Sequence, residues 1–262
     1  MNPVASTKII KIKSFEKFDF DDTLVMEVRL NIFLNEKKVI SLMATPTDEK
    51  ALAIGYLISE NLINRVNEIL DIKIDKDSEF EVSIKFKILN PNDTNIKNLQ
   101  KNSSVISGCG SAKTANSFLD MKGEAIKNSS VFSSSLILSR MSTFYTECDL
   151  YEKTGCVHTA KLFINDSEFY IGEDIAQHNT IDKAVGKAIL NKANLKNSFL
   201  MVSGRLSSEM VAKAIMHKIP LLVSRTAATY LGVMLARKFD LTLCGFARGN
   251  SMNVYSFEKR II

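Results

Sequence analysis

The stretch Phe199–Phe246, FLMVSGRLSSEMVAKAIMHKIPLLVSRTAATYLGVMLARKFDLTLCGF, decides the fold class. Short apolar runs alternate in it with longer segments whose apolar residues recur at helical spacing. They predict strands at Phe199–Val202, Leu221–Val223 and Leu241–Phe246, and helices at Ser207–His217 and Ala227–Lys238. Apolar strands separated by amphipathic helices are typical of a layered α/β domain with a largely parallel sheet. Ligands of such sheets bind beyond the carboxyl ends of the strands.

The residues on either side extend this pattern into two predicted domains. Asn90–Asn95 has the polar, turn-rich composition of a linker. We predict a small α+β domain over residues 1–100 and an α/β domain over residues 101–262. The remaining predicted elements are strands at Leu24–Phe33, Val39–Met43, Ile69–Ile74 and Phe80–Leu89 with a helix from Thr47 to Ile63, then a helix from Leu136 to Cys148, paired strands at Val157–Ile164 and Phe169–Ile175, and a helix over 179–193.

Composition excludes several classes of protein. The 262 residues carry a net charge of +5 without a long Lys/Arg block, which is too weak for a nucleic-acid partner but suits a phosphate-bearing ligand. Met1–Phe15 lacks the apolar run of a signal peptide, and no window has the apolar length of a membrane span. The cysteines have no paired spacing: they are Cys109, Cys148, Cys156 and Cys244. We therefore expect a cytoplasmic protein with reduced thiols.

Cys109 lies in the run Ser107-Gly108-Cys109-Gly110-Ser111, directly before a stretch compatible with a helix. Glycine on both sides allows the thiol to sit at the tip of a mobile loop. A helix start at Ser111 and the ammonium of Lys113 both favour a thiolate over a thiol. The alternative is a small residue in a tight turn whose thiol has no chemical role.

An arginine follows each of three predicted strands. Arg205 comes in Ser203-Gly204-Arg205, Arg225 follows Ser224, and Arg248 lies in the last segment. That segment is Phe246, Ala247, Arg248, Gly249, Asn250 and Ser251. Each arginine alone is explained by a bond to a carbonyl or to a carboxylate such as Glu209. Three at equivalent positions favour a polyanionic ligand, such as a group of phosphates.

A second polar run, Gly172–Asn179, follows a predicted strand. Glu173, Asp174 and His178 are suited to acid/base chemistry there. In the alternative, Asn179 caps a helix and the carboxylates favour its N-terminus. His158 shares a strand face with Cys156, but the chain has neither H-x-E nor C-x-x-C. We therefore predict no metal site and no zinc.

Several motifs in one order resemble the FdhD/NarQ family, the accessory sulfurtransferases of formate dehydrogenase. The resemblance covers about residues 24 to 257, and several motifs together are more specific than any one. The matching residues are Thr45-Pro46 with Ala53, Gly55, Leu57 and Glu60; Thr154–His158; Glu173-Asp174, His178-Asn179 and Asp182-Lys183; Ser203–Arg205 with Ser207, Glu209 and Met210; and Gly245–Gly249 with Asn253 and Tyr255.

The resemblance implies a three-layer α/β/α C-terminal domain similar to cytidine deaminases, without their zinc, and a homodimer. It implies a sulfur carrier that takes persulfide sulfur from a cysteine desulfurase and passes it to the molybdenum bis(molybdopterin guanine dinucleotide) cofactor, before formate dehydrogenase receives that cofactor. Cys109 would carry the persulfide. Phe246–Ser251, with Arg205, Arg225 and His178, would hold the cofactor, and a GDP-like nucleotide would mimic it.

This chain departs from the family pattern at several positions. The family loop carries C-x-x-C, whereas the second position here is Ala112. Cys156 stands where glycine is usual, and it is either a substitute second thiol or a small buried filler. Ala176-Gln177 replaces Gly-Arg, and Asn250-Ser251 lacks a common arginine. Two other classes therefore stay open: a cofactor-binding chaperone without sulfur transfer, and a cysteine hydrolase using Cys109 or Cys156 with a histidine base.

Overall fold

The structure, a computed structural model, describes residues 1–89, 91–92, 95–97, 121, 124–127 and 129–262. Cys109, the segment around it and the predicted domain boundary at residue 100 lie outside this part. The strands are β1 Val4–Lys13, β2 Glu16–Val25, β3 Val28–Leu34, β4 Lys37–Ala44, β5 Ile69–Ser78, β6 Glu81–Ile88, β7 His158–Phe163, β8 Phe169–Asp174, β9 Phe199–Val202, β10 Leu221–Ser224, β11 Thr242–Arg248 and β12 Ser251–Ser256. The helices are α1 Glu49–Ser59, α2 Ser134–Ser142, α3 Asp149–Thr154, α4 Gln177–Leu190, α5 Ser208–Met216 and α6 Tyr230–Lys238.

The C-terminal part is built on a six-stranded sheet of order β12-β11-β10-β9-β7-β8. Alternate residues of its buried strands face opposite sides: Leu200 packs under α4, α5 and α6, whereas Met201 packs with α2. The sheet thus has helices on both faces. Only β9, β10 and β11 run parallel, and the remaining pairings are antiparallel. The mixed α/β class is confirmed. The expected largely parallel sheet is wrong, because β7 enters antiparallel to β9 and hairpins then add β8 and β12 at the edges.

The N-terminal part has a second sheet, of order β4-β3-β6-β5, with α1 packed on it. The other side of α1 crosses α4 very closely. A Cβ at Gly55 would lie 2.2 Å from the Asp182 carbonyl oxygen, and one at Gly186 would lie 1.9 Å from that of Ala51. Because both positions lack a side chain, the two backbones can touch. This contact joins the N-terminal sheet to the C-terminal layers.

Three elements differ from the sequence prediction, and one of them is β12, which was not predicted and pairs antiparallel with β11. The hairpin of β1 and β2, residues 4–25, was not predicted, since its Ser14-Phe15 turn lacks the usual glycine or asparagine signal. It also moves the start of the next predicted strand from Leu24 to Val28. The predicted helix from Leu136 to Cys148 is instead two helices, α2 and α3. Glu147 lies between them with φ 67°, a left-handed conformation that a right-handed helix cannot contain.

Within the described residues, no helix is both long enough and apolar enough to cross a lipid bilayer.

Candidate functional site

The carboxyl ends of β9, β10 and β11 meet at one edge of the sheet, as parallel pairing requires. We refer to this edge, with the first residues of β7 beside it, as the strand-end edge. Hydrogen bonds join its segments: Ser224 Oγ donates to the Gly204 carbonyl at 2.6 Å, and Arg248 Nε donates to the Arg225 carbonyl at 2.9 Å. The three arginine-bearing segments therefore lie together, in the arrangement that their positions after successive strands predicted.

The three arginines at the edge are not neutralised by carboxylates. Arg205 and Arg248 are exposed and Arg225 is half-buried, and in the described part of the chain no ion pair joins any of them to an acidic side chain. Glu209 pairs with His178 instead, at 2.7 Å between Oε2 and Nε2. The alternative in which Glu209 neutralises an arginine is therefore wrong. Among the described residues, bonding to a carbonyl holds only for Arg248, which uses Nε and leaves its terminal nitrogens for other partners.

Phe246 stands at the same edge with 41% of its surface exposed. Its φ is 51°, which is uncommon for a phenylalanine, and its N–H donates to the Thr226 carbonyl at 3.0 Å. A Cβ at Gly245 would lie 2.8 Å from that carbonyl oxygen, so glycine permits the close approach of the two segments. The guanidinium of Arg248 lies 5.6 Å from the Phe246 ring centre. An aromatic face and a cation are thus presented side by side.

Two histidines at the edge are fixed by different partners: His178 by Glu209, as described above, and His158 by Ser203. His158 Nδ1 lies 3.3 Å from Ser203 Oγ, and that oxygen also accepts the Thr159 N–H at 3.0 Å. The serine hydroxyl thus holds the His158 ring and the start of β7 together, since it contacts both the imidazole and the Thr159 backbone. Burial lowers the pKa of His158, and the neighbouring charges of His178 and Arg205 lower it further.

Beneath the edge lies a polar group that we call the inner cluster: Thr45, Asp174, Asn179 and Lys183. Asp174 and Lys183 are fully buried, with Oδ2 and Nζ 2.7 Å apart. Lys183 Nζ also donates to the Thr45 carbonyl, and Asn179 Nδ2 donates to Asp174 Oδ1. These bonds connect the end of β4 to the start of α4. The acid/base role suggested for Asp174 is therefore wrong, because no ligand can reach it.

Glu173 and Asn179 of that run are also structural. Glu173 accepts the N–H groups of Leu150 and Tyr151 at the start of α3, and burial raises its pKa. Asn179 does not cap α4, which begins two residues earlier at Gln177.

Asp182, next to Lys183 in sequence, belongs to a separate buried group between α4 and α5. Lys213 Nζ donates to its Oδ2 at 2.6 Å, and His217 Nε2 lies 3.5 Å from Oδ1. Burial of Asp182 opposes ionisation, yet Lys213 and His217 hold its pKa below the ordinary value. Sequence reasoning missed this group, since the three residues come from separate motifs.

The described cysteines fall into two kinds. Cys148 and Cys244 are buried, and burial raises their pKa values to about 11 and about 12. Cys156 is exposed, after Gly155 with φ 63° and two residues before β7. The interpretation of Cys156 as a buried filler is therefore wrong. A hydrolase using Cys156 requires a hydrogen bond between that cysteine and a histidine. In the part that the structure describes, no hydrogen bond joins a cysteine to a histidine.

The described residues contain no group of three or more His, Cys, Asp or Glu side chains able to hold a metal ion.

A model of the FdhD/NarQ family matches residues 25–262. The chain belongs to the FdhD/NarQ family. The sulfur carrier protein FdhD of Wolinella succinogenes is 39% identical over 241 residues, 92% of this chain and 83% of that protein. The protein of the same name from Picrophilus torridus is 33% identical over the whole of both chains. A crystal structure of a protein assigned as a formate dehydrogenase accessory protein, from Desulfotalea psychrophila, is 25% identical, covers 99% of both chains and has a TM-score of 0.76.

The FdhD/NarQ match includes Cys109, Cys156 and the whole strand-end edge. It begins at Val25, so the hairpin of β1 and β2 lies before the matched residues, apart from its last position.

Proposed function

We propose that this chain is a sulfur carrier in formate dehydrogenase maturation, taking sulfur from a cysteine desulfurase and delivering it to the molybdenum bis(molybdopterin guanine dinucleotide) cofactor as substrate. The observation that carries the proposal is the strand-end edge, where Arg205, Arg225 and Arg248 lie together with no acidic partner in the part of the chain that the structure describes. Such an edge attracts the phosphates of a dinucleotide. Membership of a family whose relatives are named sulfur carriers supports the transfer itself.

Sulfur loading requires an ionised thiol, which we assign to Cys109. Its thiolate attacks the terminal sulfur of the donor persulfide, the donor's S–S bond breaks, and the donor thiolate leaves. Cys109 then carries the sulfur as a persulfide, so no external oxidant is needed. Cys148 and Cys244 are poor alternatives because their raised pKa values keep them protonated at neutral pH.

Release of that sulfur as sulfide requires two electrons. A second thiol supplies them by attacking the Cys109 sulfur, which forms a disulfide and expels the terminal sulfur. Ala112 leaves the loop sequence without this thiol. Exposed Cys156, near the strand-end edge, is one source and a small-molecule thiol is the other.

Phosphates are expected to lie against the three arginines, with the guanine on the exposed face of Phe246. An exposed aromatic ring beside a guanidinium suits a nucleobase, since every base presents a π-face. His178 completes the cofactor site, and the His158 ring lies beside it. A GDP-like nucleotide should bind there as a mimic. We also propose that the protein is a cytoplasmic homodimer and that its C-terminal layers share the arrangement of cytidine deaminases.

The decisive experiment is intact-protein mass spectrometry after incubation with a cysteine desulfurase and cysteine. The wild-type chain should gain one sulfur atom, and Cys109→Ser should gain none while remaining folded. Cys156→Gly serves as the matched control and should still load sulfur. A wild-type chain that binds GDP but never gains sulfur would instead be a cofactor-binding chaperone.

The same variants separate the two sources of electrons for release. If Cys156→Gly loads sulfur on Cys109 but cannot deliver it to the cofactor, Cys156 is the second thiol. If delivery is unchanged and depends on added small thiols, the mechanism uses one protein cysteine.

A further inference from the structure

Tyr145 and Tyr151 form an aromatic stack beside the strand-end edge, which we call the tyrosine stack. Their ring centres are 3.9 Å apart, and the ring planes differ by 12°. Both side chains are half-buried, and Tyr145 packs against the same core as Met201, on the α2 side of the sheet. The guanidinium of Arg225 lies over the Tyr145 ring, 5.4 Å from its centre. One of the three edge arginines thus contacts this layer directly.

Two contacts hold the tyrosine stack in place. Glu173, on β8, accepts the N–H of Tyr151 at 2.8 Å and so fixes the start of α3. Lys161, on β7, is buried and donates from its ammonium to the carbonyl of Thr146, the residue after Tyr145. Because two strands supply these anchors, the sheet itself determines where the rings lie.

The backbone of Arg225 is fixed by its neighbours, whereas its side chain has fewer contacts. Its carbonyl accepts the Arg248 Nε–H at 2.9 Å, and beside it the Ser224 hydroxyl accepts the Thr226 N–H at 3.0 Å. Among the described residues, no hydrogen bond or ion pair uses the Arg225 guanidinium. The Tyr145 ring is therefore the described contact that restricts this guanidinium.

We propose that Tyr145 is a positioning residue for nucleotide binding: its ring holds the Arg225 guanidinium at the strand-end edge, and Tyr151 holds the ring. This inference rests on the proposed function, in which Arg225 binds a phosphate. A free arginine side chain has many rotamers, and ordering one on binding lowers the affinity. A ring against the guanidinium restricts those rotamers beforehand and leaves its N–H donors for a phosphate. Glu173 then contributes without touching the ligand, because it anchors Tyr151.

The test is a double-mutant cycle on GDP affinity, measured by isothermal titration calorimetry on the full chain. Arg225→Ala should weaken GDP binding about tenfold, because it removes a charged donor. Tyr145→Leu removes the aromatic face and should weaken binding about threefold, as expected for a partly exposed cation–π contact. In the Arg225→Ala background, Tyr145→Leu should have no further effect, since the ring acts through that arginine.

Two control variants separate the ring from its hydroxyl and from a general folding defect. Tyr145→Phe keeps the aromatic face and should bind GDP as the wild-type chain does. Tyr170→Leu removes a half-buried tyrosine near the start of β8, which is the end of that strand remote from the edge. It should leave the GDP affinity unchanged.

Three outcomes would overturn the positioning role. A Tyr145→Leu effect that persists in the Arg225→Ala background would mean that the ring contacts the nucleotide or supports the fold. An equal loss of affinity in Tyr145→Phe would assign the effect to the hydroxyl. An Arg225→Ala variant with unchanged GDP affinity would show that this arginine binds no phosphate. Sulfur loading of Cys109, scored separately by mass spectrometry, tests the proposed function.

Discussion

The strand-end edge and the inner cluster are neighbours that use charge in opposite ways. At the edge, none of the three arginines pairs with a carboxylate among the described residues, so their guanidinium groups keep hydrogen-bond donors available. In the cluster, Lys183 is surrounded by Asp174 and by the oxygens of Thr45, Thr47 and Glu173. A cation with all of its donors used has a structural role, whereas one with donors to spare can bind a ligand.

This difference explains why one motif can serve two purposes. In the run from Glu173 to Lys183, His178 reaches the edge with 21% of its side chain exposed, whereas Asp174 and Lys183 are fully buried. The buried pair joins β8 to α4, and both side chains bind Thr45 at the end of β4, so they fix where the helix start, with His178, lies relative to the arginines. The cluster therefore positions the edge, and the charge of Asp174 also acts on it by raising the pKa of His158 against the larger lowering effect of burial.

The largest expected effect is a difference in reactivity between the buried and the exposed thiols. With a pKa of about 11, Cys148 is a thiolate in only about one molecule in a thousand at pH 8, and Cys244 in still fewer. Both are also buried, whereas Cys156 is exposed. A chromogenic disulfide reagent should therefore modify Cys148 and Cys244 at least about a hundredfold more slowly than Cys156. In guanidinium all the thiols should react at similar rates; fast modification of Cys148 or Cys244 in the folded chain would contradict the division.

The second test removes one member of the inner cluster. Lys183→Met should lower the free energy of unfolding by about 3–5 kcal/mol, because Asp174 is left as a buried charge without its cation. The measurement is urea unfolding. Lys187→Met is the matched control one turn along α4: its pair with Asp48 is 30% exposed at the lysine, and the loss should be about 1 kcal/mol or less. Equal losses of unfolding free energy would show that the buried pair stabilises the fold no more than the partly exposed pair does.

Much of the fold follows from the sequence because local patterns determine it. The apolar runs of β9 and β10 and the hairpin of β7 and β8 are visible in periodicity alone. The placement of the arginines at one edge follows from their positions after successive strands. Burial of Asp174 and Lys183 is not visible, since it depends on β4, which comes some 130 positions earlier along the chain. The exposure of Cys156 was missed for a related reason: it depends on where α3 ends.

The third test addresses the edge directly. Arg248→Ala should weaken GDP binding about tenfold, because it removes a charged donor beside Phe246. Lys38→Ala, on β4 of the N-terminal sheet, should leave the affinity unchanged. Isothermal titration calorimetry measures both. Equal affinities for the two variants would count against the strand-end edge as the nucleotide site.

The smallest expected effect is a change in the pKa of His158, which tests whether the arginines of the edge act on it electrostatically. Burial lowers the pKa of His158, and the charges of His178 and Arg205 add to this, so Arg205→Ala should raise it. Arg225→Ala is the matched control, since that guanidinium instead lies over the Tyr145 ring. NMR titration can follow His158 directly, because the chain has three histidines.

The sign of the linked stability change follows from the direction of this shift. A histidine whose pKa is lower in the folded chain takes up protons more readily when unfolded. Stability due to His158 is therefore present above the unfolded value, near 6.5, and is lost as pH falls through the folded value. Because Arg205→Ala reduces the shift, the variant should lose less stability than the wild type between those two values. A His158 pKa that responds equally to both arginine variants would mean that the edge acts through its overall charge rather than through Arg205.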